Sequence, residues 1–169
     1  MKTEELKEVL DYCPTTGVFT WKVKTSVRTA AGAHANATRP NGYVYISIKY
    51  TSYMAHRLAF LFMTGAFPKH HVDHINGIRN DNSWANLREV TQQENSRNSA
   101  KSIRNKSGVP GVFWYAPTQK WQVHITVAGT KKKHLGYYTD YDEAVSVRKA
   151  AEMAHEYHPN HGRIPVITY

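Results

Sequence analysis

Cysteine, long apolar runs and acidic side chains are all scarce in this sequence of 169 residues. Cys13 is the only cysteine, which excludes an internal disulfide and a cysteine-rich zinc finger and suits a reducing cytoplasm. The longest apolar piece, Leu58 to Met63, is far shorter than the roughly 18 to 20 residues that a membrane-spanning helix needs. The N-terminal segment MKTEELKEVL lacks the pattern of a secretory signal peptide. We therefore expect a cytoplasmic protein.

The shortage of acidic side chains leaves a strong positive charge. The sequence has 22 Lys and Arg against 13 Asp and Glu, a net charge of +9. Residues 1–99 carry 12 basic and 8 acidic groups, and residues 100–169 carry 10 and 5, so the excess is not confined to a tail. Such a balance favours a polyanionic partner such as nucleic acid, with general solubility as the alternative explanation.

The first 65 residues predict a mixture of helices and strands. We expect a short helix over Glu4–Asp11, a strand over Val18–Trp21 and a second strand over Tyr43–Tyr50, with a loop from Thr25 to Asn41. The segment MAHRLAFLFMTG has a helical stripe of apolar residues and ends at Gly65, the residue type that commonly closes a helix.

The stretch HHVDHINGIRNDNSWANLREVTQQEN, residues 70–95, contains three histidines, five asparagines and two aspartates. We expect a strand over His71–Ile75, an extended turn over Asn76–Trp84 and a second strand over Asn86–Val90. The sequence Thr-Gln-Gln-Glu from Thr91 is typical of a capping box, which predicts that a helix starts there. The stretch is therefore predicted to form a strand, a long turn, a strand and a helix.

This stretch holds the residue types that phosphodiester hydrolysis needs. A histidine with a pKa near neutrality can activate water, and one divalent ion can stabilise the phosphate and the departing oxygen. A hard ion of this kind needs only one or two protein oxygen ligands. Asp73 and His74 are adjacent on a predicted strand and should point to opposite faces unless the chain twists there. The helix predicted to start at Thr91 would bring Asn95 back close to the strand pair.

Residues 56–95, HRLAFLFMTG...VDHINGIRNDNSWANLREVTQQEN, resemble an HNH endonuclease of the phage and homing type. The resemblance implies a ββα-metal fold that cuts DNA with one divalent ion, Mg²⁺ or Mn²⁺. It implies that Asp73 and Asn95 are metal ligands and that His74 is the general base. Asn86, counted with His74 among the catalytic residues, would be the central asparagine that pins the long turn by hydrogen bonds.

The C-terminal part predicts a second, smaller domain. Three strand candidates, GVFWY, KWQVHITV and KKKHLGYY, precede a helix over Asp140–Tyr157. The predicted fold class is therefore α+β, with a ββα-metal (HNH) nuclease module followed by a three-stranded antiparallel sheet packed on one helix. The predicted domains are residues 1–97 and 110–169, joined by a basic linker over 98–109.

The second domain resembles the Apetala-two type of DNA-binding domain, in which the sheet lies in the major groove of duplex DNA. The residues that carry the resemblance are Gly111, Val112, Lys120, Trp121, Ile125, Leu135, Gly136, Tyr137 and Ala144. Phe113, Tyr115 and Thr126 replace arginines of the plant members, so their DNA target is not carried over. Contacts with DNA phosphates are predicted for His56, Arg57, Arg104, Lys106, Lys120, Lys131, Lys132 and Lys133.

The sequence thus favours a metal-dependent DNA endonuclease of the homing type that nicks one strand, since each chain has one predicted site. The resemblance implies a phage-encoded protein in a bacterial host cell, acting as a monomer or weak dimer. A non-catalytic DNA-binding protein with the same scaffold, or an RNA-binding module, remains as an alternative.

Overall fold

The computed structural model describes residues 1–25, 29–102, 104–127 and 132–164. Within them the chain forms two compact units, residues 1–92 and residues 93–164. Both combine helices with small antiparallel sheets, as the predicted α+β class requires. Among the described residues, none of the helices has the length and apolar character needed to cross a lipid bilayer.

In its described residues, the first unit contains three small sheets and the helices α1 and α2. Helix α1 (Thr3–Val9) leads into the hairpin of β1 (Leu10–Cys13) and β2 (Val18–Trp21). Strands β3 (Ala37–Thr38), β4 (Val44–Ile48) and β5 (Thr51–Met54) form an antiparallel sheet that continues into α2 (Ala55–Thr64). Strands β6 (His71–His74) and β7 (Leu87–Val90) pair antiparallel, with a single turn of 3₁₀ helix, Trp84–Asn86, immediately before β7.

Two predicted elements of the first unit were wrong in their extent. The helix predicted to reach Asp11 ends at Val9, because Leu10 is buried opposite Trp21 in the first hairpin. The strand predicted to reach Tyr50 ends at Ile48. Lys49 and Tyr50 adopt positive φ angles of 47° and 67° and form a tight two-residue hairpin turn into β5, which was not predicted. The predicted loop also contains β3.

One apolar core lies inside the first unit and fixes α2 against the small sheets. Its most buried large side chains are Leu6, Leu10, Phe19, Ile46 and Leu58. The predicted end of α2 is confirmed, because Gly65 closes it in the left-handed conformation at φ 83°. The segment that follows leads directly to β6, so the core positions the strand on which the candidate site lies.

The second unit contains α3 (Gln92–Arg97, which begins at the unit boundary), a three-stranded antiparallel sheet and α4 (Tyr141–Ala154). The strands are β8 (Val112–Tyr115), β9 (Lys120–Thr126) and β10 (Lys132–Tyr138), with β9 in the centre. Val112, Val123 and Ala144 form a small core. Asp140 caps α4 as predicted, since its carboxylate accepts a hydrogen bond of 2.7 Å from the Glu143 amide.

The residues predicted as a linker make hydrogen bonds within the second unit. Asn98 is only 1% exposed and accepts hydrogen bonds from the Arg163 guanidinium. The Gly162 amide donates to the Ser99 carbonyl at 2.9 Å, and the Tyr141 hydroxyl donates to the Ser107 carbonyl. The segment therefore belongs to the hydrogen-bond network of this unit, and the boundaries at residues 97 and 110 stay predictions.

Candidate active site

Strands β6 and β7 place Asp73 and His74 at the end of a strand pair. In their antiparallel register Asp73 lies opposite Arg88 and His74 lies opposite Leu87. Both side chains are buried, with residue exposures of 6% and 4%. Because neighbouring strand residues point to opposite faces, the carboxylate and the imidazole have different surroundings, and each is described in turn.

Asp73 forms an ion pair across the two strands. The Arg88 Nη2 and Nε atoms donate to its Oδ2 at 2.8 and 3.1 Å. This contact was not predicted, because the long loop between the strands leaves their register open in the sequence. A carboxylate has about four lone-pair positions, so Asp73 can serve a guanidinium and a cation together. Its chemistry therefore fits a hard divalent ion.

The turn between the strands is closed by hydrogen bonds among short polar side chains. The Asn76 amide group donates to Asp81 Oδ2 at 2.7 Å, and the Ser83 hydroxyl donates to Asp81 Oδ1 at 2.7 Å. Burial opposes ionisation of Asp81, but the hydrogen bonds from Ser83 and Asn76 outweigh it and lower the pKa of this carboxyl. Asp81 is therefore an ionised anchor within the turn.

Asn86 joins the two ends of the same turn. Its Oδ1 accepts from the Asn76 backbone amide at 2.9 Å, and its Nδ2 donates to the Asp81 carbonyl at 2.8 Å. The Asn86 carbonyl also accepts from the Ile75 amide at 2.9 Å, directly after His74. Asn86 is buried, and all these contacts are structural. A direct part in catalysis stays a prediction.

The first hairpin supports the turn from the other side. The Tyr12 hydroxyl donates to the Asn82 carbonyl at 2.8 Å, and the Trp84 amide donates to the Pro14 carbonyl at 2.8 Å. Gly17 has φ 72°, and a Cβ atom there would lie 2.2 Å from the Asn82 carbonyl carbon. Only glycine allows the backbone at position 17 to approach Asn82 so closely. Gly17, at the end of the sequence Pro-Thr-Thr-Gly, therefore lets the first hairpin pack against the turn that follows His74.

His74 is a buried imidazole in contact with Asn82. The distance between its Nε2 and the Asn82 Oδ1 is 3.4 Å. Burial lowers the pKa of His74, and the contact with Asn82 and the charge of Asp73 oppose only part of this effect. His74 is therefore neutral at pH 7. A neutral imidazole has one ring nitrogen with a lone pair, which is the state that a general base requires.

His56 was predicted to contact DNA, but the structure buries it beside His74. Its ring is 4% exposed and stands perpendicular to that of His74, with 5.2 Å between centroids. The Tyr43 ring lies 5.4 Å from His56 and 5.9 Å from His74. Within the described part of the chain, His56 Nδ1 has no hydrogen-bond partner. Burial leaves this side chain little surface for a phosphate contact.

The same burial makes His56 hard to protonate. Burial away from water is the main cause that lowers the pKa of His56, and the nearby His74 and Arg57 lower it further, to about 3. The two imidazoles, which meet edge to face, are therefore both neutral at pH 7. Sequence reasoning missed this pair because the two residues are separated by 18 positions and meet only through the packing of α2 against β6.

Arg57, another predicted DNA contact, has a structural role in the fold. Its Nη2 donates to the Pro68 carbonyl at 2.9 Å and its Nη1 to the His70 carbonyl at 3.2 Å. These bonds hold the segment that leads from α2 into β6. The guanidinium therefore helps to position the strand that carries Asp73 and His74.

Asn95, the second predicted metal ligand, is half-buried on α3 in the second unit. In the described ranges, no group of three or more His, Cys, Asp or Glu side chains is arranged to hold a metal ion. Mg²⁺ commonly takes one or two carboxylates together with water and phosphate oxygens as ligands, and the Asp73 carboxylate is of the type that it prefers.

The remaining predicted DNA contacts lie on the surface of the second unit. Arg104, Lys106, Lys120, Lys132 and Lys133 are exposed, and none of them forms an ion pair within the residues that the structure describes. Their charges are therefore available to phosphates. Lys131 lies outside the described residues.

Comparisons with known proteins support the nuclease resemblance of the central segment. An HNH endonuclease family model matches residues 53–97, which include α2, β6, β7 and α3. Protein 3.8 of Escherichia phage T7 is 34% identical over 71 residues, covering 41% of this chain and 57% of that protein. The chain thus spans little more than half the length of this relative. The family match supports a nuclease or DNA-binding role for the segment.

A solved structure also aligns with the chain. Its title is "DNA binding and cleavage by the HNH homing endonuclease I-HmuI", and it is 17% identical with a TM-score of 0.44. The alignment covers 100% of this chain and 98% of the other.

Replacement of Asn86 by alanine should destabilise the first unit. The change leaves the Asn76 amide and the Asp81 carbonyl without their partner inside the turn, which costs about 2–4 kcal/mol of unfolding free energy. Urea unfolding followed by circular dichroism measures the loss. Asn80→Ala is the matched control, because the Asn80 side chain is exposed and only its carbonyl is used in the turn. Equal stabilities of the two variants would contradict this account of the turn.

The buried state of His56 predicts a dependence of stability on pH. The unfolded chain binds a proton at a histidine near pH 6.5, whereas folded His56 binds it near pH 3. Folding therefore releases this proton between the two values, and stability falls as pH decreases through that window. The contribution is up to about 1.4 kcal/mol per pH unit.

Unfolding free energies between pH 7 and pH 4 test this prediction. His56→Phe keeps an aromatic ring in place and should reduce the slope, while His71→Gln, at an exposed position of β6, should not. The same slope in wild type and His56→Phe would show that His56 is not a buried neutral group.

Proposed function

We propose that this chain is a metal-dependent endonuclease that nicks duplex DNA by hydrolysing a phosphodiester bond. His74 acts as the general base, and Asp73 and Asn95 are ligands of one divalent ion, Mg²⁺ or Mn²⁺. The observation that carries the proposal is the buried, neutral His74 next to the buried Asp73, inside a segment that matches the HNH endonuclease family. Buried ionisable groups at adjacent positions of a chain are more common at functional sites than elsewhere.

In the proposed reaction His74 takes a proton from a water molecule. The oxygen of that water forms a bond to phosphorus, and the bond between phosphorus and the departing 3′ oxygen breaks. Because His74 is neutral at pH 7, it can accept the proton without first losing one. Asn82, Tyr43 and His56 contact its ring and restrict its orientation, which is the requirement for proton transfer at a fixed position.

Asp73 and Asn95 have the oxygen donors that a hard divalent ion prefers. Charge neutralisation on the phosphate and on the departing oxygen is the chemistry that such an ion supplies when it is bound. Arg88 donates two hydrogen bonds to Oδ2 of Asp73 and thereby orients the carboxylate. We therefore assign Arg88 a supporting role at this ligand, which the sequence did not suggest.

The second unit is proposed to be an Apetala-two-type DNA-binding domain, a three-stranded sheet packed on α4. Its support is the small core shared by Val112, Val123 and Ala144, together with the exposed basic residues. Arg104, Lys106, Lys120, Lys132 and Lys133, with Lys131 as predicted, would contact phosphates. Phosphate contacts of this kind give salt-dependent affinity and carry little sequence information.

The alternative function is a DNA-binding protein that keeps the nuclease fold without cleavage. It explains the charge equally well but gives no reason for Asp73, His74 and Asn95 to occur together. One predicted site per chain favours a nick, and a double-strand break would need two events or a dimer. A phage-encoded homing role in a bacterial host accords with the relative in phage T7.

Cleavage of supercoiled plasmid tests the proposed function. Wild-type protein with Mg²⁺ or Mn²⁺ should give open circles, and EDTA should prevent them. His74→Ala should reduce the rate by about 10²- to 10⁴-fold because it removes the general base, with salt-sensitive binding retained. His71→Ala is the matched control on the same strand, since His71 is exposed.

Two results would contradict the proposal. Cleavage by His74→Ala at the wild-type rate would show that another group is the base. Absence of cleavage by a folded wild-type protein that binds duplex DNA would favour the non-catalytic alternative.

A further inference from the structure

Aromatic side chains cover one face of the sheet in the second unit. Val112 and Val123 point into the small core, so alternation along the strands places their neighbours on the opposite face, called here the outer face. Phe113, Tyr115 and Tyr137 lie on it and are 44%, 39% and 42% exposed. Large rings left exposed together are unusual on a protein surface and indicate a binding role.

The rings of the outer face form one continuous row. Phe113 lies 6.3 Å from His124, His124 lies 5.1 Å from His134, and His134 lies 4.7 Å from Tyr137. Tyr115 completes the row at 5.7 Å from Tyr137. The five rings are contributed by all three strands, so the strand pairing fixes their spacing. The row is a preformed surface with little side-chain freedom left to lose on binding.

Positive charge flanks this row of rings. Lys120 is opposite Tyr115 at one end of β9, and Lys132 is opposite Thr126 at the other end. Lys132 pairs with Thr126, which lies six positions after Lys120 on β9. The two lysines are therefore separated by roughly 20 Å along the strand direction. The described strands β8, β9 and β10 contain no acidic residue. The outer face is therefore complementary to a polyanion that also presents flat apolar groups.

We propose that the outer face binds single-stranded DNA, with unpaired bases stacked on Phe113, Tyr115 and Tyr137 and with phosphates near Lys120 and Lys132. Unpaired bases expose their faces, whereas the bases of a duplex are stacked on one another and offer only their edges. The three aromatic rings offer flat apolar faces on which bases can stack, and the Tyr137 hydroxyl already accepts a hydrogen bond of 2.9 Å from the Gln122 amide group. The composition of this face thus suits stacking better than reading of a groove.

The choice of DNA over RNA rests on the proposed nuclease function of the first unit. Stacking itself does not depend on that function. A single-strand surface would give the nuclease a preference for DNA with an unpaired segment, such as the frayed end beside a nick.

Binding of the full-length protein to fluorescently labelled oligonucleotides tests the inference. Fluorescence anisotropy in EDTA is measured with an oligothymidine of roughly 20 nucleotides, a duplex of the same length and an oligouridine. EDTA prevents metal-dependent cleavage, so the result is independent of nuclease activity. Tyr115→Leu combined with Tyr137→Leu should weaken oligothymidine binding by roughly 5- to 150-fold per ring and leave duplex binding within two-fold.

Tyr50→Gly is the matched control for the loss of an aromatic ring. Tyr50 lies in the first unit, is fully exposed and occupies a positive φ angle that glycine favours. Its replacement should leave oligothymidine binding unchanged. If the double variant does not fold, Tyr115→Leu alone is the test, because Tyr115 is 39% exposed and its replacement leaves the hydrogen bond between Gln122 and Tyr137 intact.

Three outcomes would overturn the inference. Unchanged oligothymidine binding by a folded ring variant would show that the rings do not contact bases. An equal loss of single-strand and duplex binding would show that the rings support a groove contact instead. Tighter wild-type binding to oligouridine than to oligothymidine would assign the face to RNA.

Discussion

The hydrogen bonds that close the turn between β6 and β7 are the constraint on which the candidate site depends. Asp81 accepts hydrogen bonds from Asn76 and Ser83, and Asn86 joins both ends of the turn. Together they fix the chain on either side of Asn82, whose amide oxygen faces His74. Polar residues fill the interior here in place of apolar ones, and such a network is stabilising only when its members are paired. The abundance of Asn and Asp in this stretch is thereby explained.

Burial determines the chemistry of the imidazoles that the turn organises. His74 and His56 are removed from water in the core of the first unit, and the loss of hydration lowers the pKa of both groups. A surface histidine would be partly protonated near neutral pH, whereas this pair is neutral. In the proposed mechanism, the neutral state of His74 is the one in which it can accept a proton. Arg88 places a cation beside the buried carboxylate of Asp73 and holds its Oδ2 atom in position.

The sequence predicted the local parts of this arrangement and missed the long-range ones. Residue spacing located β6, β7 and the start of α3 to within a few residues, because capping and turn signals act over short distances. The apolar stripe that the sequence of α2 shows does not include His56, so the burial of His56 was not predicted. The segment LAFLFM makes the helix apolar on most sides, and such helices are buried. The support of Asn82 by Tyr12 joins residues 70 positions apart, which no local pattern reveals.

Rescue of cleavage by free imidazole tests most directly whether His74 is the base that this turn positions. His74→Gly removes the ring but leaves Asn82, Tyr43 and His56, which contact it in the wild type. We predict that the folded variant is inactive on supercoiled plasmid and that added imidazole restores nicking in a saturable manner. Wild-type nicking by His74→Gly without imidazole would contradict the account.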